Sequence, residues 1–184
     1  GHNQMLEQYA LSIFDAARKF HGMGARERLL LQIAVTLHGC GKFISIRNSN
    51  ESSYNLIMST EIIGLSHLER EIIANVVRYN IRDFDYDTIQ LETQIGEDGS
   101  GNLNRSSITI LIAKLTAILR LANSMDKTHK AKLIDSRMAV RDGRLVITTG
   151  YQGDLALESA SFEQKAAFFE EIFGIRPVLK QKRR

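Results

Sequence analysis

The apolar residues of this chain change period once, and that change limits what it can fold into. Between Met5 and Met125 they recur at helical spacing. Between Asp135 and Thr149 they flank Asp142-Gly143, the two-residue signature of a type I′ hairpin. The chain therefore reads as mainly α over residues 1–130, followed by a small α+β unit of β-β-α-β order over 131–184.

The helical stripes can be placed individually. Met5, Tyr9, Ile13, Ala17 and Phe20, widened by Leu6, Ala10 and Phe14, mark a first helix that His21-Gly22-Met23-Gly24 should break. Leu29, Leu30, Ile33, Ala34 and Leu37 form one face of a second helix, which should stop at Gly39-Cys40-Gly41. A polar loop over 45–52 then precedes a short helix around Tyr54, Leu56 and Ile57. Ser66 and Glu69 have capping-box spacing and open a helix with Leu68, Ile72, Ile73, Val76 and Tyr79. A long loop follows through Gly96, Gly99 and Gly101, functional or mobile by its length. The longest stripe runs from Ile108 through Leu115 and Leu119 to Met125. Beyond the hairpin, Ser161 and Gln164 suggest a second capping box, Gly174 a C-cap, and Arg176-Pro177-Val178 a short final strand.

Composition narrows the function classes. A net charge of +3 produces no strong field to select specific nucleic acid. The basic run Lys180-Gln181-Lys182-Arg183-Arg184 reads as a solvated terminus that would favour polyanions, and the stretch from Asp83 to Asp98 is acidic. No apolar run is expected to span a membrane, no export signal is read at the N-terminus, and a single cysteine fits a reducing compartment. The expectation is a soluble cytoplasmic protein.

The residues that could carry chemistry lie at the second helix end: Leu37-His38-Gly39-Cys40-Gly41-Lys42-Phe43. This run resembles the L-H-D-I-G-K-F signature of HD-domain phosphohydrolases, with Gly39 at the Asp position. Ser53-Tyr54-Asn55-Leu56-Ile57 is similar to the S-Y-Y-L-I stretch of exopolyphosphatases and guanosine pentaphosphate phosphatases, and Val77-Arg78-Tyr79-Asn80 to their A-R-Y-H. The run from Ile118 to His129 resembles their I-L-R-L-A-D-A-L-D-R-S-H, and Phe162 to Arg183 their closing segment. The chain thus resembles the C-terminal, HD-like helical region of that family.

In HD-domain phosphohydrolases, His and Asp side chains hold a divalent metal that activates water and polarises phosphate. Here the matched positions carry His38, Gly39, Ser52, Asn80 and Asn123, and Ser49 and Asn50 also stand where histidines are common. Only His38 keeps a ligand side chain, so the resemblance implies a vestigial site, no catalytic residue and no cofactor. It also implies N-terminal actin-like phosphatase domains as partners if the chain is a fragment, polyphosphate or a guanosine pentaphosphate-type ligand, and a homodimer. His38, Lys42, Arg78, Arg120 and Lys127 are the candidate phosphate contacts. Two alternatives stay open: a metal-dependent phosphohydrolase with an altered ligand set around His38, and a sensor for a phosphorylated nucleotide.

Other readings of the same residues are weaker. Cys40 close to His38 suggests a thiolate, but a small apolar filler is the better account. Gly41-Lys42 ends like a phosphate loop, yet Thr36 stands where that motif needs glycine. Asp98-Gly99-Ser100-Gly101 follows no predicted strand and reads as a linker. Asp83, Asp85 and Asp87 lack the spacing of a calcium loop. His2, His21, His38, His67 and His129 include no pair at a recognised metal-ligand spacing.

Overall fold

The computed structural model describes residues 1–45, 47–80, 82–93 and 104–182. The part of the expected long loop that holds Gly96 and the run Asp98 to Gly101, and the two terminal arginines of the basic tail, lie outside the described residues; residues 82–93 of that loop are described and contain no helix or strand. The architecture is mainly helical with one three-stranded sheet. Contacts between Cα atoms divide the chain into two compact units, one of residues Gly1–Arg28 with Ala117–Arg184 and one of Leu29–Thr116. This division follows contacts, whereas the boundary at residue 130 marks the change of apolar period and remains a proposal.

The first unit begins with α1 (His2–Ala16), whose face of Leu6, Tyr9, Ala10, Ile13 and Phe14 is buried. A short α2 (Arg18–His21) follows and ends at Gly22, where φ is 66°, a left-handed conformation that glycine adopts without steric cost. The apolar stripe stops at Ala17; Phe20, read from the sequence as its last member, is exposed because the helix is interrupted before it. His21 is buried and satisfied at both ring nitrogens. Nε2 donates to the Phe14 carbonyl at 2.7 Å, and Nδ1 accepts from Met23 N at 2.9 Å.

The sheet belongs to this unit. β1 (Arg137–Arg141) pairs antiparallel with β2 (Arg144–Thr149), and β2 pairs parallel with β3 (Arg176–Gln181). Asp142 and Gly143 have φ of 53° and 72°, which is the type I′ turn read from their sequence. Leu145, Val146 and Ile147 are buried in succession, so the central strand is covered on both faces, unlike the alternating β1. Pro177 lies on the edge strand β3, where its missing N–H is tolerated.

The crossover helix α7 (Ala156–Phe173) starts five residues before the expected capping box. Ser161 lies inside the helix, and the first N–H finds its acceptor upstream: Ala156 N donates to Asp154 Oδ1 at 2.8 Å. Ser161 and Gln164 have the right spacing, but Ser159 N already donates to Leu155 O at 2.8 Å within the helix, so the spacing goes unused. Gly174 closes α7 with φ of 73°.

In the second unit, α3 (Ala25–Leu37), which begins in the first, buries Leu30, Leu31, Ala34 and Val35. Of the expected face, Leu30 and Ala34 are buried, but Ile33 and Leu37 are half-buried and Leu29 is exposed, so the face is rotated by about one position. Three successive leucines and Ile33 make this helix apolar almost all round, so its periodicity does not choose between adjacent faces. A 3-10 turn (Cys40–Phe43) follows, then α4 (Ser49–Ser59) and α5 (His67–Arg78). The capping box of α5 forms as read: Glu69 N donates to Ser66 Oγ at 3.1 Å, and Ser66 N to Glu69 Oε1 at 3.0 Å.

α6 (Arg105–Ser124) runs from the second unit into the first. Contrary to the sequence expectation, it is long and apolar enough by length and composition to cross a membrane. Two thirds of that window is buried inside the protein, as in the core helix of a globular domain.

Candidate functional site

Of the candidate residues of the second unit, His38, Gly39 and Lys42 lie between α3 and α4, Ser52 lies on α4, and Arg78 and Asn80 lie at the end of α5. His38 follows α3 and donates from Nδ1 to the Val35 carbonyl at 2.6 Å, because a carbonyl oxygen can only accept. The atoms nearest to a Cβ at Gly39 would be those of the Lys42 side chain, with Nζ 3.6 Å away. The Lys42 ammonium therefore lies beside the position that an aspartate would occupy in the resembling signature.

Gly41 has a different reason for being glycine. A Cβ there would stand closer than 3.0 Å to backbone atoms of Ser49, Ser52 and Ser53, so the start of α4 packs directly on its main chain. The contact is locked by Gly41 N, which donates to the fully buried Ser53 Oγ at 2.7 Å.

Ser52 lies inside α4, not in a loop. The helix begins at Ser49, with Asn48 as N-cap but no side-chain cap bond, and Ser52 N donates to Asn48 O at 2.9 Å. Serine and asparagine are weak helix formers, and a run of five polar residues conceals a helix start from propensity alone. Asn80 follows α5, is nearly fully buried, and has no hydrogen-bond partner for Oδ1 among the described residues.

Arg78 is held from two sides. Its Nε and Nη2 donate to Glu51 Oε2 at 3.2 and 2.9 Å, and its Cζ lies 3.5 Å over the Tyr54 ring. Arg82 Nη1 donates to the other oxygen, Glu51 Oε1, at 3.0 Å. One carboxylate thus bridges two guanidinium groups. Burial pushes the Tyr54 hydroxyl above its usual range, and the Arg78 charge opposes that shift. These groups open onto a concavity of about 390 Å³, which Arg47 and the first turn of α4 complete. Glu51, Tyr54, Arg47 and Arg82 were not singled out from sequence. The signal was present in part: Glu51 and Tyr54 are three residues apart, on one face once 49–59 is seen as helix.

Asn123, Arg120 and Lys127 belong to the first unit. Arg120 is nearly buried, its Cζ 4.8 Å over the Phe168 ring, while Lys127 is exposed. Close to them in sequence are polar contacts around the buried Asp126 and Glu158 that sequence spacing did not reveal. Asp126 Oδ2 lies 2.8 Å from His2 Nδ1, Asp126 Oδ1 accepts from Ala131 N at 2.9 Å, and His2 stacks on His129 at 3.8 Å. Glu158 accepts from Thr128 Oγ1 at 2.5 Å and pairs with Lys132 Nζ at 3.5 Å. Tyr9 is pushed up to about 12 by burial and then by the Asp126 charge. Among the described residues no group of three or more His, Cys, Asp or Glu side chains is placed to hold a metal ion.

A family model described as Ppx/GppA phosphatase, domain III matches residues 1–165. The chain belongs to this family. It is an accessory domain of a Ppx/GppA-family protein. No curated protein sequence matches the chain. The domain III match ends within α7, so it includes every candidate residue above, while most of the C-terminal resemblance from Phe162 to Arg183 lies beyond it.

Proposed function

We propose that this domain III is non-catalytic and contributes either phosphate-polyanion binding or dimerisation to a phosphatase whose chemistry resides in N-terminal actin-like domains. The ligand would be polyphosphate or a guanosine pentaphosphate-type nucleotide, and the setting the cytoplasm. One observation carries the reading. The positions matched to metal ligands carry Gly39, Ser52, Asn80 and Asn123, and these residues do not fit a divalent metal. Glycine has no donor side chain, and neutral hydroxyl and amide groups are poor substitutes for carboxylate and imidazole. The Lys42 ammonium beside Gly39 adds like-charge repulsion against any cation there.

Elemental analysis and a hydrolysis assay test this together. Protein purified without chelator and without a nickel column is expected to hold no stoichiometric transition metal and to release no phosphate from polyphosphate. Chelator-sensitive hydrolysis by this chain alone, abolished by His38→Ala, would overturn the reading in favour of an enzyme with an altered ligand set.

A further inference from the structure

The concavity at the start of α4 has a composition that its surroundings do not require. Arg47, Arg78 and Arg82 face it, and among the described residues the single acidic side chain in its wall is Glu51. The formal balance is three positive charges against one negative, or +2. Arg78 is 19% exposed, with its guanidinium plane set by the Tyr54 ring beneath and Glu51 beside it, so it loses little freedom on gaining another partner. The Glu51 carboxylate reports what the arginines accept: a compact oxyanion, each of its oxygens taken by a different guanidinium. Glu51 is itself 39% exposed and Arg82 60% exposed, so both can rearrange into solvent without unpacking a core.

We infer that this pocket is a binding site for a phosphate-bearing anion, in which Glu51 acts as an internal competitor held by the same arginines. The inference rests on the polyanion reading for its ligand class and deepens it by locating the site. An incoming phosphate group takes hydrogen bonds from Arg82, Arg47 and the outer edge of Arg78, while Glu51 turns toward solvent. Neither the position of His38 nor that of Lys42 enters. The site thus omits His38, Gly39, Ser52, Asn80 and Asn123, while Ser49 and Asn50 stand in its wall.

The competitor gives the inference a signature that a merely structural salt bridge does not. Calorimetric titration of the full chain with inorganic pyrophosphate at low ionic strength compares four proteins. Wild type is expected to bind. Glu51→Gln is expected to bind about fivefold more tightly, because the arginines lose an anion that must be displaced. The double variant Arg47→Ala/Arg82→Ala, altered at exposed positions, is expected to lose at least about tenfold in affinity. Lys42→Ala/Lys127→Ala is expected to bind as wild type. Circular dichroism of each variant establishes that it is folded.

If wild-type protein binds neither pyrophosphate nor polyphosphate, the ligand-binding reading falls and this inference with it. If wild type binds but the arginine variant is unaffected, or Glu51→Gln binds no more tightly, the pocket assignment alone is wrong. Loss in the lysine variant instead would place the anion elsewhere in the domain.

Discussion

Two carboxylates show how differently this domain uses the same group. Glu51 in the second unit and Glu158 in the first each face basic side chains, yet the first is 39% exposed and the second 1%. Glu51 has two arginine partners and open solvent, so what it gains from them it can also obtain from water. Glu158 stands in the first turn of α7, with the Thr128 hydroxyl on one oxygen and Lys132 on the other. Burial alone would raise its pKa, but Thr128, the amide of its own residue and Lys132 outweigh that and hold it below the usual carboxylate range. An exposed bridge can be exchanged for a ligand, whereas a buried one is part of the framework.

The largest effect that would sharpen this contrast is expected from Glu158→Ala. Removing the carboxylate leaves the Lys132 charge and the Thr128 hydroxyl with lost partners, and should cost about 3–5 kcal/mol in denaturant unfolding. A loss below 1 kcal/mol would erase the distinction from Glu51. The pH dependence carries a sign. Because the folded pKa of Glu158 is depressed, its contribution is present above the unfolded carboxylate range and is lost as pH falls through the folded value. Wild-type stability should therefore fall on acidification more steeply than that of Glu158→Gln.

Lys132→Met should follow at about 1–3 kcal/mol, since Thr128 and the α7 amides still serve Glu158. The replacement keeps the stem volume of the side chain, so the measured loss reports the ammonium group, with its 2.8 Å bond to the Asp154 carbonyl, and not the stem. The smallest effect is expected from Glu51→Gln, whose unfolding free energy should stay within about 1 kcal/mol of wild type. Raising the salt concentration should shrink that difference further, because exposed pairs are screened. A large, salt-insensitive loss at Glu51 would make it a framework residue and break the comparison.

How much of this was legible in advance depended on how local each signal was. The Ser66–Glu69 box, the Asp142-Gly143 turn and the Gly174 cap depend on residues three or fewer apart, and each formed as read. The Ser161–Gln164 box had the same local signal, but a helix start is a competition, and Asp154 had already supplied an acceptor upstream. The start of α4 was hidden because its first turn is built from serine, asparagine and glutamate, and its support comes from close packing on Gly41. The pocket was hidden with it. Glu51 joins Arg78 and Arg82 across 27 and 31 residues, and no periodicity links them.

The sequence by itself determined the helical character, the hairpin turn, the β-β-α-β order and the family, because these rest on local conformational preference and on ordered motifs. It also determined the donor chemistry at positions 39, 52, 80 and 123, which is a matter of residue identity. Only the tertiary structure decided that the first 28 residues group with the chain from Ala117 onward. It also decided which face of α3 is buried, why Gly41 admits no side chain, and that Glu51 bridges two arginines. Those outcomes depend on which distant surfaces exclude water together, a property of packing that no window of neighbouring residues contains.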